Sequence, residues 1–348
     1  MDAQEQKDLP WTPPVHVLFD EVVNTDSPPA KRMRAMYYLR TLFEHSNEED
    51  NEKKVESKTG VTRGEILRQL CTALGNKESS PLIRHELAYV LGQIRDERAN
   101  ATLAALVSDV SDDAMVRHES AEALGAIGSA SSTDLLDRIS TNEQEPIEVK
   151  ETCKIAADFI RWKVNNRKGQ MPAACACMLD PYSVTHDPAP AATAGKDLSV
   201  DEMQAVLLSE ETDLFEKYRV MFALRNRGGD DAVKALGKVL AEDSTSALFR
   251  HEIAFVLGQM QNGAALDALE TILRRSEEHH MVRHEAAEAL GAIEGDESEM
   301  ERCRTLLQEF AHDKDPVVGE SCEVALDAQD YYGSFSSLKL GGAEASCG

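Results

Sequence analysis

The sequence predicts an all-α protein built as a helical repeat solenoid, and three observations carry that prediction. Strand-like alternation is absent, aromatic residues make up only 5% of the chain, and Ala, Leu and Glu recur at three- and four-residue spacing. Short apolar-periodic segments are broken by turn signals such as Gly75-Asn76, Gly228-Gly229 and Asn262-Gly263. The chain also repeats itself. At 348 residues it is roughly twice the usual single-domain length, so two domains or an array is the expectation.

The repeat is legible along the chain. Residues 84–93 read RHELAYVLGQ and 117–126 read RHESAEALGA; residues 250–259 read RHEIAFVLGQ and 283–292 read RHEAAEALGA. His85 and His118 are 33 residues apart, as are His251 and His284, and a constant shift of 166 maps the first pair onto the second. Weaker copies flank each pair: 31–42 and 216–227 precede, 149–160 and 318–329 follow, and none carries His-Glu at the matching place. Met33 and Tyr218 stand near that place instead, which argues against further metal sites. Each half therefore holds about four helical hairpins, the inner two specialised and the outer two capping the core.

The expected organisation is an N-terminal half over 1–164 with a charged insertion at 46–60, and a Pro/Ala/Gly/Ser-rich flexible linker over 165–200. A C-terminal half over 201–330 and a disordered Gly/Ser tail over 331–348 follow. The start, MDAQEQKDLPWTPP, has neither a basic nor an apolar region of a secretory signal, and no apolar run approaches membrane-spanning length. Seven cysteines, odd in number and scattered, fit a reducing compartment; Cys175-Ala176-Cys177 lacks the second pair a metal site needs.

Within one unit, Asp113 is placed to cap a helix whose stripe of Val116, Ala121, Leu124 and Ile127 packs inward, and Gly125 lets a neighbouring backbone approach. The run from Asp113 to Gly128 resembles the second helix of a HEAT repeat. Arg84, Arg117, Arg250 and Arg283 then read as scaffold, pairing with capping acids such as Asp113. Gly92 and Gly258 read as tight helix packing or as a groove for a slender substrate. His279-His280 reads as surface, and His16, His45, His186 and His312 fall in no register.

The chemistry lies in the four His-Glu words. One such dipeptide carries no information; four on equivalent helix positions do. Neighbouring second helices stack about 10 Å apart, so His85 lies beside His118 and His251 beside His284. Two halves facing each other across a pseudo-twofold axis would converge eight ligand-type side chains. Imidazole and carboxylate without thiolate do not make a structural zinc cage. Two His and one carboxylate per metal suit non-haem iron, and two such halves suit a dinuclear centre. Consecutive helix residues point about 100° apart, so one Glu of each half would ligate while the other faces substrate or supports a ligand.

The four motifs, their spacing and the two-half architecture, covering about residues 30–330, resemble the deoxyhypusine hydroxylases. The resemblance implies a cytoplasmic, monomeric di-iron monooxygenase with two Fe(II) ions per chain and O2 as co-substrate. It implies iron ligands at His85, His118, Glu119, His251, His284 and Glu285. Glu86 and Glu252 would hold substrate amines or support the ligands. The implied protein substrate is eukaryotic initiation factor 5A bearing deoxyhypusine, a lysine extended by an aminobutyl group. A net charge of −25 fits a basic, cationic substrate and argues against nucleic acid. The competing expectation is a non-catalytic HEAT scaffold that binds a protein along its concave face.

Overall fold

The computed structural model describes residues 13–46, 61–166 and 198–343. The charged stretch 47–60, most of the expected linker (167–197, including Cys175 and Cys177), the first twelve residues and 344–348 lie outside the described residues.

Sixteen helices and no strand are present among the described residues. The N-terminal half comprises α1 (Val15–Val23), α2 (Pro29–His45), α3 (Arg63–Gly75), α4 (Pro81–Ile94), α5 (Asn100–Ser108), α6 (Ala114–Ile127), α7 (Thr133–Ser140) and α8 (Ile147–Asn166). The C-terminal half comprises α9 (Val200–Leu208), α10 (Leu214–Arg227), α11 (Gly229–Glu242), α12 (Ala247–Met260), α13 (Leu266–Arg274), α14 (His280–Ala292), α15 (Glu297–Phe310) and α16 (Pro316–Ala343). Successive pairs form four hairpins per half. The even-numbered second helices stack in the order α2, α4, α6, α8 and α10, α12, α14, α16.

Local chemistry sets the helix starts. Asp113 accepts from the Met115 amide at 2.9 Å, and Ser80 and Ser246 accept from the amides of Ile83 and Phe249. His279 takes the same role on α14, its Nδ1 accepting from the Met281 amide at 3.3 Å, while His280 lies 3.4 Å from Asp315. This pair is half-buried and caps a helix, which corrects the expectation of a surface pair. Burial and the neighbouring His280 lower the His279 pKa, as a neutral acceptor requires.

The last helix reaches into the stretch expected as a tail. α16 is helical in its backbone as far as Ala343, and 344–348 lie outside the described residues.

Each half has its own hydrophobic core. One gathers Leu39, Leu70, Leu91 and Leu124; the other gathers Phe222, Leu257, Leu290 and Leu307. Four glycines fix how closely second helices approach. A Cβ on Gly92 or Gly258 would sit 3.0 or 3.1 Å from the Cα of Ala123 or Ala289, so tight packing accounts for both.

Each motif arginine reaches back to a carbonyl on the preceding helix or turn and forward to an acid of the following turn. Arg84 pairs with Asp112 at 2.5 Å, Arg117 with Glu145, Arg250 with Glu278 and Arg283 with Asp313, each of these three at 2.6 Å. The clamp partner of Arg84 is thus Asp112, since the Asp113 carboxylate is committed to the Met115 amide.

The two arcs close into a ring. α16 packs on α2 and α4, and α8 packs on α10 and α12, so the last hairpin of each half meets the first of the other. The four His-Glu helices therefore face the middle. No described helix is long and apolar enough to cross a membrane.

Candidate metal centre

The ring brings all four motif histidines together. The His85 and His118 rings lie 5.3 Å apart between centroids, as do His251 and His284. Across the halves, His85 and His284 are 5.3 Å apart and His118 and His251 5.4 Å, so the quartet has the pseudo-twofold symmetry of the duplication. All four are buried, none more than 4% exposed.

The glutamates separate into two kinds. Glu119 Oε2 lies 3.2 Å from His85 Nε2, and its counterpart Glu285 Oε2 lies 3.3 Å from His251 Nε2 and 3.9 Å from His284 Nε2. These two carboxylates stand among the imidazoles. Glu86 is placed differently: its Oε1 is 3.2 Å from His85 Nδ1, and its Oε2 accepts from the Tyr37 hydroxyl at 2.8 Å. Glu252 is buried.

The electrostatics follow the packing. His118 and His284 are pushed well below their usual pKa, first by burial and then by His85 and His251. Burial works against charge at His85 too, but Glu119 and Glu86 on either side outweigh it and hold this imidazole well above its usual value.

Both ring nitrogens of His118, His251 and His284, and Nε2 of His85, have no hydrogen-bond partner among the described residues. Leaving a buried polar atom unsatisfied costs about 1–3 kcal/mol, so this many in one pocket asks for an occupant. His85, His118 and Glu119 offer atoms all within 4.8 Å of one another, as do His85, His251 and His284. Neutral imidazoles and carboxylates are the donor set of non-haem iron, and no thiol among the described residues joins these groups. The residues fit metal.

Sequence reasoning missed three parts of the site. Glu288, one turn beyond His284, places Oε1 3.6 Å from that ring's Nδ1, and Glu122 is its counterpart on α6. Both stand in the repeated AEALGA word, so the signal was present. Tyr89 and Phe255, equivalent across the halves, meet edge to face with ring centroids 6.0 Å apart. Tyr37 comes from an outer repeat, where nothing local marks it.

Residues 67–153, 205–291 and 233–327 match a family profile described as HEAT repeats. Among curated proteins the chain is similar to deoxyhypusine hydroxylase of Gallus gallus, 46% identical over 163 residues (47% of this chain, 50% of that protein). It is also similar to that of Saccharomyces cerevisiae, 39% identical over 204 residues (59% of this chain, 58% of that protein). These matches span about half the length of the curated relatives. The solved structure of human deoxyhypusine hydroxylase in complex with glycerol is similar at 38% identity and TM-score 0.75, covering 91% of this chain and 96% of that chain. Likeness of sequence and of fold over nearly all of that structure, added to a buried quartet of His-Glu motifs, makes this chain a member of the deoxyhypusine hydroxylase family.

Proposed function

We propose that this chain hydroxylates the deoxyhypusine side chain of eukaryotic initiation factor 5A in the cytoplasm, with two iron(II) ions and dioxygen. One iron is held by His85, His118 and Glu119, and the other by His251, His284 and Glu285. The observation that carries this reading is the quartet of buried imidazoles with unsatisfied nitrogens, each pair accompanied by one carboxylate. A scaffold that only binds proteins has no use for such a cluster in its interior.

Iron, when bound, supplies the activation of dioxygen needed to insert oxygen into a C–H bond of the aminobutyl chain. The protein's own residues prepare that chemistry. A metal at His85 takes the neutral ring, and Glu86, 3.2 Å from Nδ1, is placed to accept the N–H there and so direct Nε2 to the metal. Tyr37 in turn donates to Glu86 and fixes its rotamer. Burial of the four rings excludes water from the reacting volume. The acidic surface of a chain with net charge −25 draws in a basic protein and its cationic side chain.

The test is iron content and substrate affinity of Glu86→Ala, Glu119→Ala, Glu252→Ala and Glu285→Ala. Glu119→Ala and Glu285→Ala lose iron. Glu86→Ala and Glu252→Ala keep it, and loss of a charge-assisted contact to an amine costs about 1.5–3 kcal/mol of binding. Equal iron loss in all four would make every Glu a ligand and overturn the division of roles.

A further inference from the structure

The duplication allows the two ends of the site to be compared residue by residue. At one end α2 meets α16; at the other α10 meets α8. Gly125 abuts Ala156 on α8 as Gly291 abuts Ala325 on α16, and this common contact aligns Ile155 with Val324 and Phe159 with Ala328. The inward cations Arg32 and Lys217 align Met33 with Tyr218. The 166-residue shift aligns Glu122 with Glu288.

The two ends are built on the same plan but differ in free space. Between α2 and α16 lies a slot of about 370 Å³ lined by Met33, Tyr37, Glu288, Val324 and Ala328. At the matching place between α8 and α10 only about 10 Å³ remains, bordered by Glu122, Ile155, Phe159 and Tyr218. The separate cleft of about 270 Å³ at the heads of these helices, lined by Glu151, Leu214, Lys217 and Ser246, borders neither Glu122 nor a motif histidine. Two aromatic rings make the difference: Phe159 stands where the open end has Ala328, and Tyr218 where it has Met33. Tyr218 is 1% exposed, its ring lies against Phe249 and Phe222, and its hydroxyl has no hydrogen-bond partner among the described residues. Its hydroxyl contributes no bond to the packing, so the ring acts there as a filler.

We propose that the deoxyhypusine side chain reaches the centre through the α2–α16 slot alone, with the carboxylates of Glu288 and Glu86 along its path, and that Phe159 and Tyr218 plug the equivalent route. The proposal rests on the hydroxylase reading above. The slot has the size of a small-ligand site. A chain entering it passes Glu288, 3.6 Å from His284, and the Tyr37–Glu86 pair, 3.2 Å from His85, before meeting the imidazoles.

The test is calorimetric binding of two peptides, one bearing deoxyhypusine and one bearing lysine at the same position, to the full iron-loaded chain, with iron measured on every variant. Ala328→Phe copies the closed end onto the open one. It and Glu288→Gln each weaken the deoxyhypusine peptide by at least about 10-fold while iron content stays at the parent level. The mirror variants Phe159→Ala and Glu122→Gln bind within about two-fold of the parent, well inside the energy of one charge-assisted contact. If Ala328→Phe loses helix content, Glu288→Gln decides. Parent-like binding by the first pair, or equal weakening by the mirror pair, overturns the slot assignment. A parent chain that does not prefer deoxyhypusine to lysine overturns the hydroxylase reading itself, and the slot with it.

Discussion

The inner and outer hairpins of each half share one architecture and bury different things. In α4, α6, α12 and α14 an Arg, a His and a Glu follow one another, all buried except Arg250 of α12, which is partly exposed. In α2, α8, α10 and α16 the His position holds Met33, Glu151, Tyr218 and Glu320, and the next holds Arg34, Thr152, Arg219 and Ser321. The outer helices fold without His-Glu, so the fold does not require it. What both kinds share is the spacing of the second helices; the inward cation at the head of the helix recurs only at Arg32 and Lys217 among the outer four, and α16 has Gly319 there. The His-Glu words are thus an addition that works against stability, since seven unsatisfied ring nitrogens gather there in one place, where the outer helices carry only scattered unsatisfied atoms such as the Tyr218 hydroxyl and Gln329 Nε2.

The comparison is most exposed to failure at the histidines. His118→Ala should lower iron occupancy and turnover together by at least about 100-fold, the upper end for losing a mere supporting partner, with circular dichroism unchanged. Tyr218→Phe, at the matching outer position, should keep full iron. Iron retained in His118→Ala, or lost from Tyr218→Phe, would erase the distinction between the two kinds of helix.

The next effect is on stability. Arg117 is 2% exposed, donates to the Val107 carbonyl at 2.8 Å and pairs with Glu145. Its replacement by Ala leaves a buried acid uncompensated, so denaturant unfolding should show a loss of about 3–5 kcal/mol. The outer Lys217, 3.9 Å from Asp243, should lose less on the same change. A smaller loss comes from Gly291→Ala, whose new methyl would stand 2.6 Å from the Ala325 Cβ; about 1–3 kcal/mol is expected from overpacking. Smallest of all is Tyr218→Phe, which removes a partnerless hydroxyl and should shift stability by no more than about 1 kcal/mol, in either direction. A larger loss would reveal a partner for that hydroxyl.

The repeat, the hairpin count and the four histidines were legible because each is a local pattern copied at a fixed period. The capping role of Asp113 was legible, but the partners of the arginines were not: Asp112 and Asp113 share a turn, and only the geometry shows that one pairs with Arg84 while the other caps the helix. Tyr37 and the α2–α16 slot were not legible at all. They arise where the first hairpin of one half meets the last hairpin of the other, with Tyr38 and Tyr331 sharing a hydrogen bond at 2.8 Å across nearly the whole chain. No period or spacing encodes such a junction. The unequal plugging of the two ends was hidden in plain letters, since Phe159 against Ala328 is informative only once the helices are aligned by their glycine contacts.

Those glycine contacts act as a ruler. The inner helices of each half touch at Gly92 on Ala123 and at Gly258 on Ala289, at nearly equal approach, and the paired imidazoles come out at the same 5.3 Å in both halves. The separation of the ligands is therefore gauged by bare backbone a full two turns away from them, where no side chain can flex to absorb an error. A single methyl inserted at that point would act as a shim, widening the bite offered to a metal without touching a ligand. Tolerance for ions of different radius is thereby set in the scaffold, and a family member could retune it by exchanging one glycine while every coordinating residue stayed the same.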